Sequence, residues 1–174
     1  MSNTNSIKPD KSKAAVCGLF CPACTVYIAT HEDPERLKTM AARFGIPPEE
    51  LACDGCRSQR LSLFCRTRCK MMKCAAGNGI DFCGSCDEYP CAELKEFQSL
   101  MPHRKELWSS QQRIKEAGWE TWFEEMTGLY SCSCGAVNSA YDLKCRKCGN
   151  EPSCKYVGTY TDDIIKNMSE KLKT

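Results

Sequence analysis

Apolar residues recur at helical spacing in several stretches of the chain, most clearly before residue 45. Four of them follow one another at i, i+3, i+4 and i+7, a spacing that places all four on one face of a helix. These four residues are Leu37, Met40, Ala41 and Phe44. Asp33 and Pro34 are typical of an N-cap and a first helical position, and Gly45 is typical of the residue that ends a helix. We therefore predict a helix from Pro34 to Phe44 whose apolar face packs in the core.

The same spacing predicts helices on both sides of Pro102. The helix that follows Cys91 carries four apolar residues and ends at Pro102, because proline cannot continue a helix. Its four apolar residues are Leu94, Phe97, Leu100 and Met101. Residues 103–127 are helical again, with a break at Gly118. This arm contains the three tryptophans of the chain, and we expect them to pack against the cysteine-rich part of the molecule.

The stretch from Cys53 to Cys91 has too few apolar residues to build a core by itself. It contains eight cysteines, and its large apolar side chains are scattered among charged residues and glycines. Thiolates in C-x2-C pairs can hold one tetrahedral metal ion from two consecutive turns, and structural zinc contributes about 10 kcal/mol or more to folding. We therefore predict short helical turns and cysteine knuckles folded around metal.

Cysteine accounts for sixteen of the 174 residues, which is typical of a scaffold held by disulfides or by metal. Residues 1–14 are polar and contain no apolar run, so the sequence predicts neither a secretory signal nor a membrane span. The prediction is a cytoplasmic protein with no membrane partner. Because the cytosol keeps thiols reduced, metal is favoured over disulfides.

Fifteen of the sixteen cysteines are predicted metal ligands for two to four zinc ions. The first eleven are Cys17, Cys21, Cys24, Cys53, Cys56, Cys65, Cys69, Cys74, Cys83, Cys86 and Cys91. Eleven is not a multiple of four, so their division among ions stays open. Two sites of four thiolates leave three cysteines over, and three sites need one more ligand, such as a carboxylate or His31. The other expectation for His31 is an exposed loop position.

The remaining four predicted ligands form two pairs near the C-terminus. They are Cys132 and Cys134, followed by Cys145 and Cys148, with a glycine directly after each pair. A glycine there permits the positive φ that turns the backbone and points its N–H groups at the sulfurs. Two such knuckles ten residues apart predict a zinc ribbon with short β-strands that binds one zinc ion. Cys154 is then a surplus thiol.

The predicted fold class is a small metal-built fold, mainly α with irregular cysteine knuckles, followed by the C-terminal zinc ribbon. Its parts are a disordered leader at 1–14, a cysteine-rich metal-binding domain with a helical arm at 15–127, the ribbon at 128–155, and a tail with a short helix at 156–174. Gly128 marks the boundary before the ribbon. The tail helix follows from an amphipathic segment that ends at Leu172.

Six basic residues lie between Asp54 and Asp81 with no acidic residue among them. They are Arg57, Arg60, Arg66, Arg68, Lys70 and Lys73. A zinc ion held by four thiolates carries a formal charge of about −2, and nearby cations neutralise it. The alternative is a nucleic-acid patch, to which Tyr130, Arg146 and Lys147 would add a stacking edge.

Four ordered motifs in residues 15–105 carry a resemblance to a known family. They are CGLFCPACTVY, CDGCR, CRTRCKMMKC and CGSCDEYPCAEL. Together they resemble a family of small, cysteine-rich bacterial and archaeal proteins of uncharacterised function that are regarded as zinc-binding. The resemblance implies that the cysteines are ligands, and it supplies no activity.

A second, smaller resemblance covers the C-terminal cysteine pairs. The pattern Tyr130-x-Cys132-x-Cys134-x3-Asn138-x6-Cys145-x2-Cys148 is similar to the Ran-binding-protein type of zinc finger. Some members of that type bind single-stranded RNA or ubiquitin. The present sequence has tyrosine where tryptophan is usual, and it has one residue, not two to four, between the first two cysteines.

These observations predict a structural-zinc protein that acts as a binding or adaptor module for an unknown protein partner. One alternative is an iron–sulfur protein that transfers electrons, because sulfur ligands alone do not choose between zinc and iron. Single-stranded nucleic acid is the alternative partner. A third alternative is a thiol oxidoreductase, since Cys21-Pro22-Ala23-Cys24 has the redox C-P-x-C spacing, although no βαβ pattern surrounds it.

The sequence predicts that the protein is not an enzyme. A catalytic zinc keeps an open position for water and commonly uses histidine, whereas the two histidines here are isolated from each other. The C-x3-C-x2-C spacing of Cys17, Cys21 and Cys24 also matches radical S-adenosylmethionine enzymes. Those enzymes need an α/β barrel after the motif, and no succession of strands is predicted here.

Overall fold

Helices form nearly all of the regular structure in this computed structural model, which describes residues 7–99 and 101–171. In chain order they are α1 Thr25–Glu32, α2 Pro34–Phe44, α3 Pro48–Leu51, α4 Leu63–Arg68, α5 Lys70–Gly77, α6 Ala92–Ser99, α7 Leu107–Ala117, α8 Trp119–Tyr130 and α9 Lys155–Lys171. Single 3-10 turns lie at Lys11–Lys13, Cys21–Ala23, Cys83–Ser85 and Pro102–Arg104. Residues 1–6 of the predicted leader, Leu100 and Leu172 lie outside the described residues.

Helix α2 begins and ends where its capping residues predict. The carboxylate of Asp33 accepts a hydrogen bond from the backbone N–H of Arg36 at 3.0 Å, which satisfies one of the free donors at the start of the helix. Gly45 ends the helix with a φ of 66°, a left-handed conformation that favours glycine. The predicted helix is therefore confirmed at both ends.

The predicted burial of the apolar face of α2 is wrong at its last residue. Ala41 is buried, but Phe44 is 53% exposed. The ring of Phe44 packs on Phe64 of α4, with the two ring centroids 4.8 Å apart. Since α4 is a short helix of six residues, it covers only part of that face.

The predicted short β-strands of the C-terminal region are wrong, and with them the predicted fold class. Across the described parts of the chain there is no named strand, and the two isolated bridges pair single residues, Ala14 with Phe20 and Ser131 with Val137. Residues 131–154 form a series of turns instead. Positive φ angles at Gly135 and Gly149 bend the backbone directly after each cysteine pair, so no extended segment continues long enough to build a ladder.

The larger hydrophobic core joins the two ends of the chain. Phe20 lies between the first cysteines, and its ring centroid is 4.9 Å from that of Phe123 and 6.0 Å from that of Tyr130. Tyr130 stacks in turn on Tyr156 of α9 at 4.6 Å. Trp122 is buried and meets Phe20 edge-on at 6.2 Å, so it packs against the cysteine-rich part as predicted. Each such aromatic pair contributes about 0.5–1.5 kcal/mol beyond its buried area.

A second hydrophobic core lies under the cysteine-rich stretch. Its fully buried members Leu94 and Leu107 come from α6 and α7, and they pack with Met71 of α5. The cysteines that pack in or against this core are Cys17, Cys21, Cys56, Cys69, Cys83 and Cys91. Two of its largest side chains therefore lie outside the stretch from Cys53 to Cys91, which explains how a segment poor in apolar residues is packed.

Gln111 of α7 fastens this second core to the N-terminal segment. Its side chain is buried, its Nε2 donates to the carbonyl of Val16 at 3.0 Å, and its Oε1 accepts from the backbone N–H of Gly84 at 2.7 Å. The backbone N–H of Cys83 donates to the same Val16 carbonyl at 2.8 Å. A buried amide that is bonded at both ends fixes the relative position of three segments.

The helical arm and the tail differ from their predicted limits. The break at Gly118 is confirmed, because α7 ends and α8 begins there with a glycine φ of 85°. Gly128, the predicted boundary, lies inside α8. The tail helix α9 is longer than predicted: it starts at Lys155 and bends at Tyr160, where φ and ψ leave the helical region.

Few large apolar side chains are exposed in the described part of the chain. The most exposed are Phe44, Ile165 and Met168. Ile165 and Met168 are three residues apart on α9, so they lie on one face of that helix. None of the described helices combines the length and the hydropathy that crossing a bilayer requires.

Candidate metal centre

Four cysteine sulfurs converge in the turns between α8 and α9. The Sγ atoms of Cys132, Cys134, Cys145 and Cys148 all lie within 4.8 Å of one another. The Cys132 and Cys148 sulfurs are 3.5 Å apart, and the Cys134 and Cys145 sulfurs are 3.6 Å apart. We call this group the four-cysteine site.

The spacing of these sulfurs suits a tetrahedral ion. At a metal–sulfur distance of about 2.3 Å, tetrahedral geometry places neighbouring thiolates about 3.8 Å apart, and the two closest pairs of the site are slightly shorter than that. Cys132 and Cys145 are buried, whereas Cys134 and Cys148 are exposed. The site therefore lies at the surface with one buried cysteine from each pair beneath it.

Backbone amides stabilise the ionised form of two of the four thiols. The N–H of Cys134 lowers the pKa of the Cys132 thiol. Burial raises the pKa of the Cys145 thiol, but the N–H groups of the following turn, that of Cys148 first, outweigh burial and lower the pKa. The N–H of Asn150 favours the Cys148 thiolate, yet burial and hydrogen bonding to the other three thiols, Cys134 first, together outweigh it and raise the pKa of Cys148. A bound cation would displace the protons that remain.

Asn138 holds the two cysteine pairs together from below. It is fully buried, and its Nδ2 donates to the carbonyl oxygens of Ala136 at 3.0 Å and Ser153 at 3.2 Å. The same Nδ2 lies 3.6 Å from the Cys145 sulfur, and Oδ1 accepts from the backbone N–H of Arg146 at 3.1 Å. One side chain thus bonds to both arms of the turn, in the place where strand pairing was predicted.

Two sets of ion pairs connect the turns of the four-cysteine site to helices α1 and α2. Arg146 donates to Glu32 at 2.6 Å, and Lys147 lies 3.4 Å from the same carboxylate. Arg36 of α2 donates to Asp142 at 2.9 Å, and both of these side chains are largely buried. The four-cysteine site is therefore fixed against the N-terminal helices by charge as well as by the shared aromatic core.

Cys154 does not join the four-cysteine site. It is buried in the larger hydrophobic core, and Ser153 Oγ lies 3.7 Å from its sulfur. Burial raises the pKa of its thiol, and neighbouring hydrogen bonds do not offset this. The structure thus places Cys154 as a small apolar residue of the core.

The eleven earlier cysteines are not gathered as tightly. Among the described residues, the four-cysteine site is the single group of three or more metal-ligating side chains whose ligand atoms lie within 4.8 Å of one another. All sixteen cysteines fall in the described part of the chain, and all are free. Their assignment as ligands stays a prediction.

His31 lies in a helix, so its predicted loop position is wrong. It occupies the last turn of α1, because the chain enters α2 directly after Asp33. Its Nε2 is 3.1 Å from the carboxylate of Asp54, which stands between Cys53 and Cys56. Its ring centroid is 4.3 Å from that of Tyr27.

Most of the basic side chains between Asp54 and Asp81 have acidic partners. The pairs are Arg57 with Asp81, Arg60 with Asp54, Arg66 with Glu50 and Lys70 with Glu93. Arg68 lies over the ring of Phe64, 5.5 Å from its centroid. Tyr130, expected as a stacking edge for bases, is 4% exposed, so that expectation is wrong.

Sequence reasoning selected the four cysteines that converge at this site but not the residues that support them. The sequence pattern contains Asn138 only as one position of a motif. It gives no sign that Arg36 or Asp142 supports the site. The available signal was an asparagine between two cysteine pairs, since asparagine commonly bonds to nearby backbone in turns. A pair such as Arg36 and Asp142 leaves no local pattern, because its members are far apart in the chain.

The comparison with protein families returned a match to the first part of the chain. Residues 13–96 match the model of a family described as "Protein of unknown function (DUF3795)". This agrees with the predicted resemblance to a cysteine-rich family without a known role. The match ends before the four-cysteine site, and no comparison shows a likeness to a zinc ribbon or to the Ran-binding-protein type of finger. The searches of curated proteins and of solved structures returned no significant match.

Proposed function

We propose that the protein is a structural-zinc protein that works by binding a partner and not by catalysis. The observation that carries the proposal is the convergence of four thiols at a spacing that fits one tetrahedral ion. Four thiolates fill the coordination sphere of zinc, and a filled sphere has no open position for a catalytic water. The metal would hold the turns between α8 and α9 in place, where no β-ladder supports them.

We propose that the eleven earlier cysteines hold further ions, for a total of two to four zinc ions per chain. All sixteen described cysteines are free, which supports this, because reduced thiols are available as ligands. We propose a reducing, cytoplasmic setting, because the cytosol keeps thiols available as metal ligands. Iron–sulfur clusters would use the same thiols, so metal analysis has to distinguish zinc from iron.

The test is metal analysis of the full-length chain after anaerobic purification, with one matched pair of variants. Cys145→Ser removes a ligand of the four-cysteine site, and Cys154→Ser removes a buried thiol close by in the chain. We expect Cys145→Ser to lose one zinc ion per chain and Cys154→Ser to lose none. Full zinc content in Cys145→Ser would overturn the proposed site. Visible charge-transfer bands in the untreated protein would identify iron–sulfur clusters in place of zinc. The function supported would then be electron transfer and not partner binding.

We further propose that the partner is a protein and not a nucleic acid. Ion pairing of Arg57, Arg60, Arg66 and Lys70 supports this, because paired cations contribute less to phosphate binding. A titration with random single-stranded RNA at low salt should show no binding. Binding that weakens steeply with salt, about tenfold for each doubling or tripling of concentration when a few phosphates are contacted, would instead identify a nucleic-acid partner.

A further inference from the structure

A groove lies between α7, α8 and the first residue of α9. Its volume is about 460 Å³, within the range of about 300–1,000 Å³ that is usual for sites of small ligands. Trp122, Met126 and Leu129 of α8 contribute apolar surface to its lining. No cysteine belongs to the lining, so the groove is not part of the four-cysteine site.

Two residues of this lining have buried polar atoms without a hydrogen-bond partner. Ser110 is 3% exposed and Trp122 is 1% exposed, and neither Ser110 Oγ nor Trp122 Nε1 has a partner. Across the described residues, one further buried side-chain atom is in this condition, Asn167 Oδ1 of α9. Because buried polar groups are nearly always paired, two unpaired ones in the lining of one groove indicate a missing partner.

The usual acceptor for a helical serine is already occupied at Ser110. A serine hydroxyl inside a helix commonly donates to the carbonyl four residues earlier, which here belongs to Glu106. That carbonyl accepts from the backbone N–H of Ser110 at 2.8 Å and from Ser109 Oγ at 3.0 Å. These two bonds use both lone pairs of the carbonyl oxygen, so the hydroxyl of Ser110 is left over.

The missing partner of Trp122 has to be a hydrogen-bond acceptor. The indole N–H donates and cannot accept, whereas the hydroxyl of Ser110 can do either. A carbonyl or carboxylate oxygen meets both requirements. An ammonium group meets only that of Ser110, so the groove selects a ligand that presents oxygen.

The charges of the lining favour a neutral oxygen over an anionic one. Carboxylates outnumber cations in the lining, which contains Glu106, Glu116, Glu125, Arg113 and Lys155. Arg113 is paired with Glu125 at 2.6 Å. Glu106 and Glu116 accept from the neutral groups of Tyr160 and Gln112, so both keep their negative charge. Like charges repel, and a carboxylate ligand is therefore disfavoured relative to a neutral carbonyl.

We infer that this groove binds a small neutral carbonyl compound, such as an apolar carboxamide, whose oxygen accepts from Trp122 and Ser110. The apolar body of the ligand would lie against Met126 and Leu129. Both polar atoms are covered in the unliganded chain, so binding has to displace lining side chains. Arg113 and Glu125 are exposed and can rotate at little cost. This binding activity goes beyond the proposed function and does not depend on metal.

The first test is an NMR titration of the isotope-labelled, full-length chain with phenylacetamide and with phenylacetate, its anionic counterpart. We expect phenylacetamide to move the indole N–H resonance of Trp122 downfield, because a new hydrogen bond deshields that proton. The resonance is identified by its absence in Trp122→Phe. Phenylacetate should bind more weakly. Tighter binding of phenylacetate, or a Trp122 resonance that stays in place up to the solubility limit of the amide, would overturn the inference.

The second test uses two adjacent serines as a matched pair. Ser109 lines the same groove, but its hydroxyl is already bonded to Glu106. Ser110→Ala should weaken phenylacetamide binding about 2–10-fold, the usual effect of one lost hydrogen bond, and Ser109→Ala should leave it unchanged. Equal affinities in the two variants would show that the Ser110 hydroxyl does not contact the ligand and would overturn the inference.

The third test examines the unliganded chain. Ser110→Ala should melt at or above the temperature of the unmodified chain, because it removes a buried hydroxyl that has no partner. A lower melting temperature would show that the hydroxyl is already bonded within the chain and would contradict the inference.

A blocked dipeptide, N-acetyl-leucyl-leucine methylamide, distinguishes a small molecule from a segment of a partner protein. It offers the same neutral carbonyl on a longer body. We expect it to bind more weakly than phenylacetamide. Tighter binding of the dipeptide would assign the groove to a peptide and overturn the small-molecule assignment.

Discussion

Arg36 and Asp142 lie 106 positions apart in the chain, and their side chains meet at 2.9 Å with little access to solvent. The pair joins helix α2 to the turns of the four-cysteine site. Asp142 also accepts the backbone N–H of Ser139 at 2.8 Å, so its carboxylate serves both the local turn and the long-range contact. Because both side chains are largely buried, the pair should contribute measurably to stability.

Breaking this pair should destabilise the protein. Arg36→Ala and Asp142→Ala each leave a largely buried partner uncompensated, and we expect about 1–3 kcal/mol of lost unfolding free energy for each. A double-mutant cycle by urea unfolding measures the coupling, which should be about 1 kcal/mol or more. Lys38→Ala is the control, because its pair with Glu35 is exposed. Additive effects of the two substitutions would contradict a direct interaction.

The pair between Glu32 and Arg146 should make stability depend on pH. Burial raises the pKa of the Glu32 carboxyl, but Arg146 and Lys147 outweigh it and lower the pKa below 4.5 in the folded state. A lowered pKa means that the stabilisation is complete above the unfolded pKa of about 4.5 and is lost as the pH falls through the folded value. The side chain is partly exposed, so the effect should stay below about 1 kcal/mol.

The measurement is the difference in unfolding free energy between the unmodified chain and Glu32→Gln across this pH range. The difference should shrink as the pH falls, because protonated glutamic acid and glutamine are then alike. Glu35→Gln, on an exposed carboxylate of α2, controls for general charge effects. A difference that stays constant from neutral to acidic pH would show that the ion pair contributes nothing.

Asn138 should set the metal affinity of the four-cysteine site without being a ligand. Asn138→Ala removes its bonds to Ala136, Ser153 and Arg146, and we expect zinc affinity to fall about 10–100-fold, as for other residues that orient ligands. Competition with a chromogenic chelator measures this. Asn150→Ala is the matched control, since that side chain is exposed and donates to Ser133 Oγ at 2.9 Å, with its Nδ2 3.9 Å from the Cys132 sulfur. Equal losses of zinc affinity in the two variants would show that Asn138 has no specific role in orienting the cysteines.

Substitution of Gln111 should destabilise the protein far more than substitution of its neighbour Gln112. Gln111→Ala leaves the Val16 carbonyl with one bond fewer and the Gly84 N–H unpaired, and we expect about 2–3 kcal/mol of lost stability. Gln112→Ala removes only an exposed contact with Glu116 and should change stability by less than about 0.5 kcal/mol. Thermal unfolding of both variants checks the contrast. Similar melting temperatures would mean that the buried amide does not hold the segments together.

Local signals in the sequence were sufficient for features determined by neighbouring residues. The caps of α2, the break at Gly118 and the positive φ after each C-terminal cysteine pair all depend on residues a few positions apart. The exposure of Phe44 was not predictable in the same way. A helical stripe shows which face is apolar, but the length of the element that covers that face is decided elsewhere in the chain.

The error at the C-terminal cysteine pairs has a physical cause. Two knuckles in sequence are compatible with strands between them and also with turns, because the ligand spacing constrains only the ends. Here the side chains of Asn138 and Asp142 bond to the backbone and take the role of a ladder. Whether side chains or strands satisfy those backbone groups depends on packing against α1 and α2, which local sequence does not report.

The aromatic cluster of Phe20, Tyr130 and Tyr156 has a consequence for how the chain is synthesised. Phe20 leaves the ribosome 136 residues before Tyr156. Contacts of such large sequence separation form slowly and late, so Phe20 has to remain without these aromatic partners until α8 and α9 have been made. Chains truncated before α9 should therefore expose Phe20 and be substrates for chaperones.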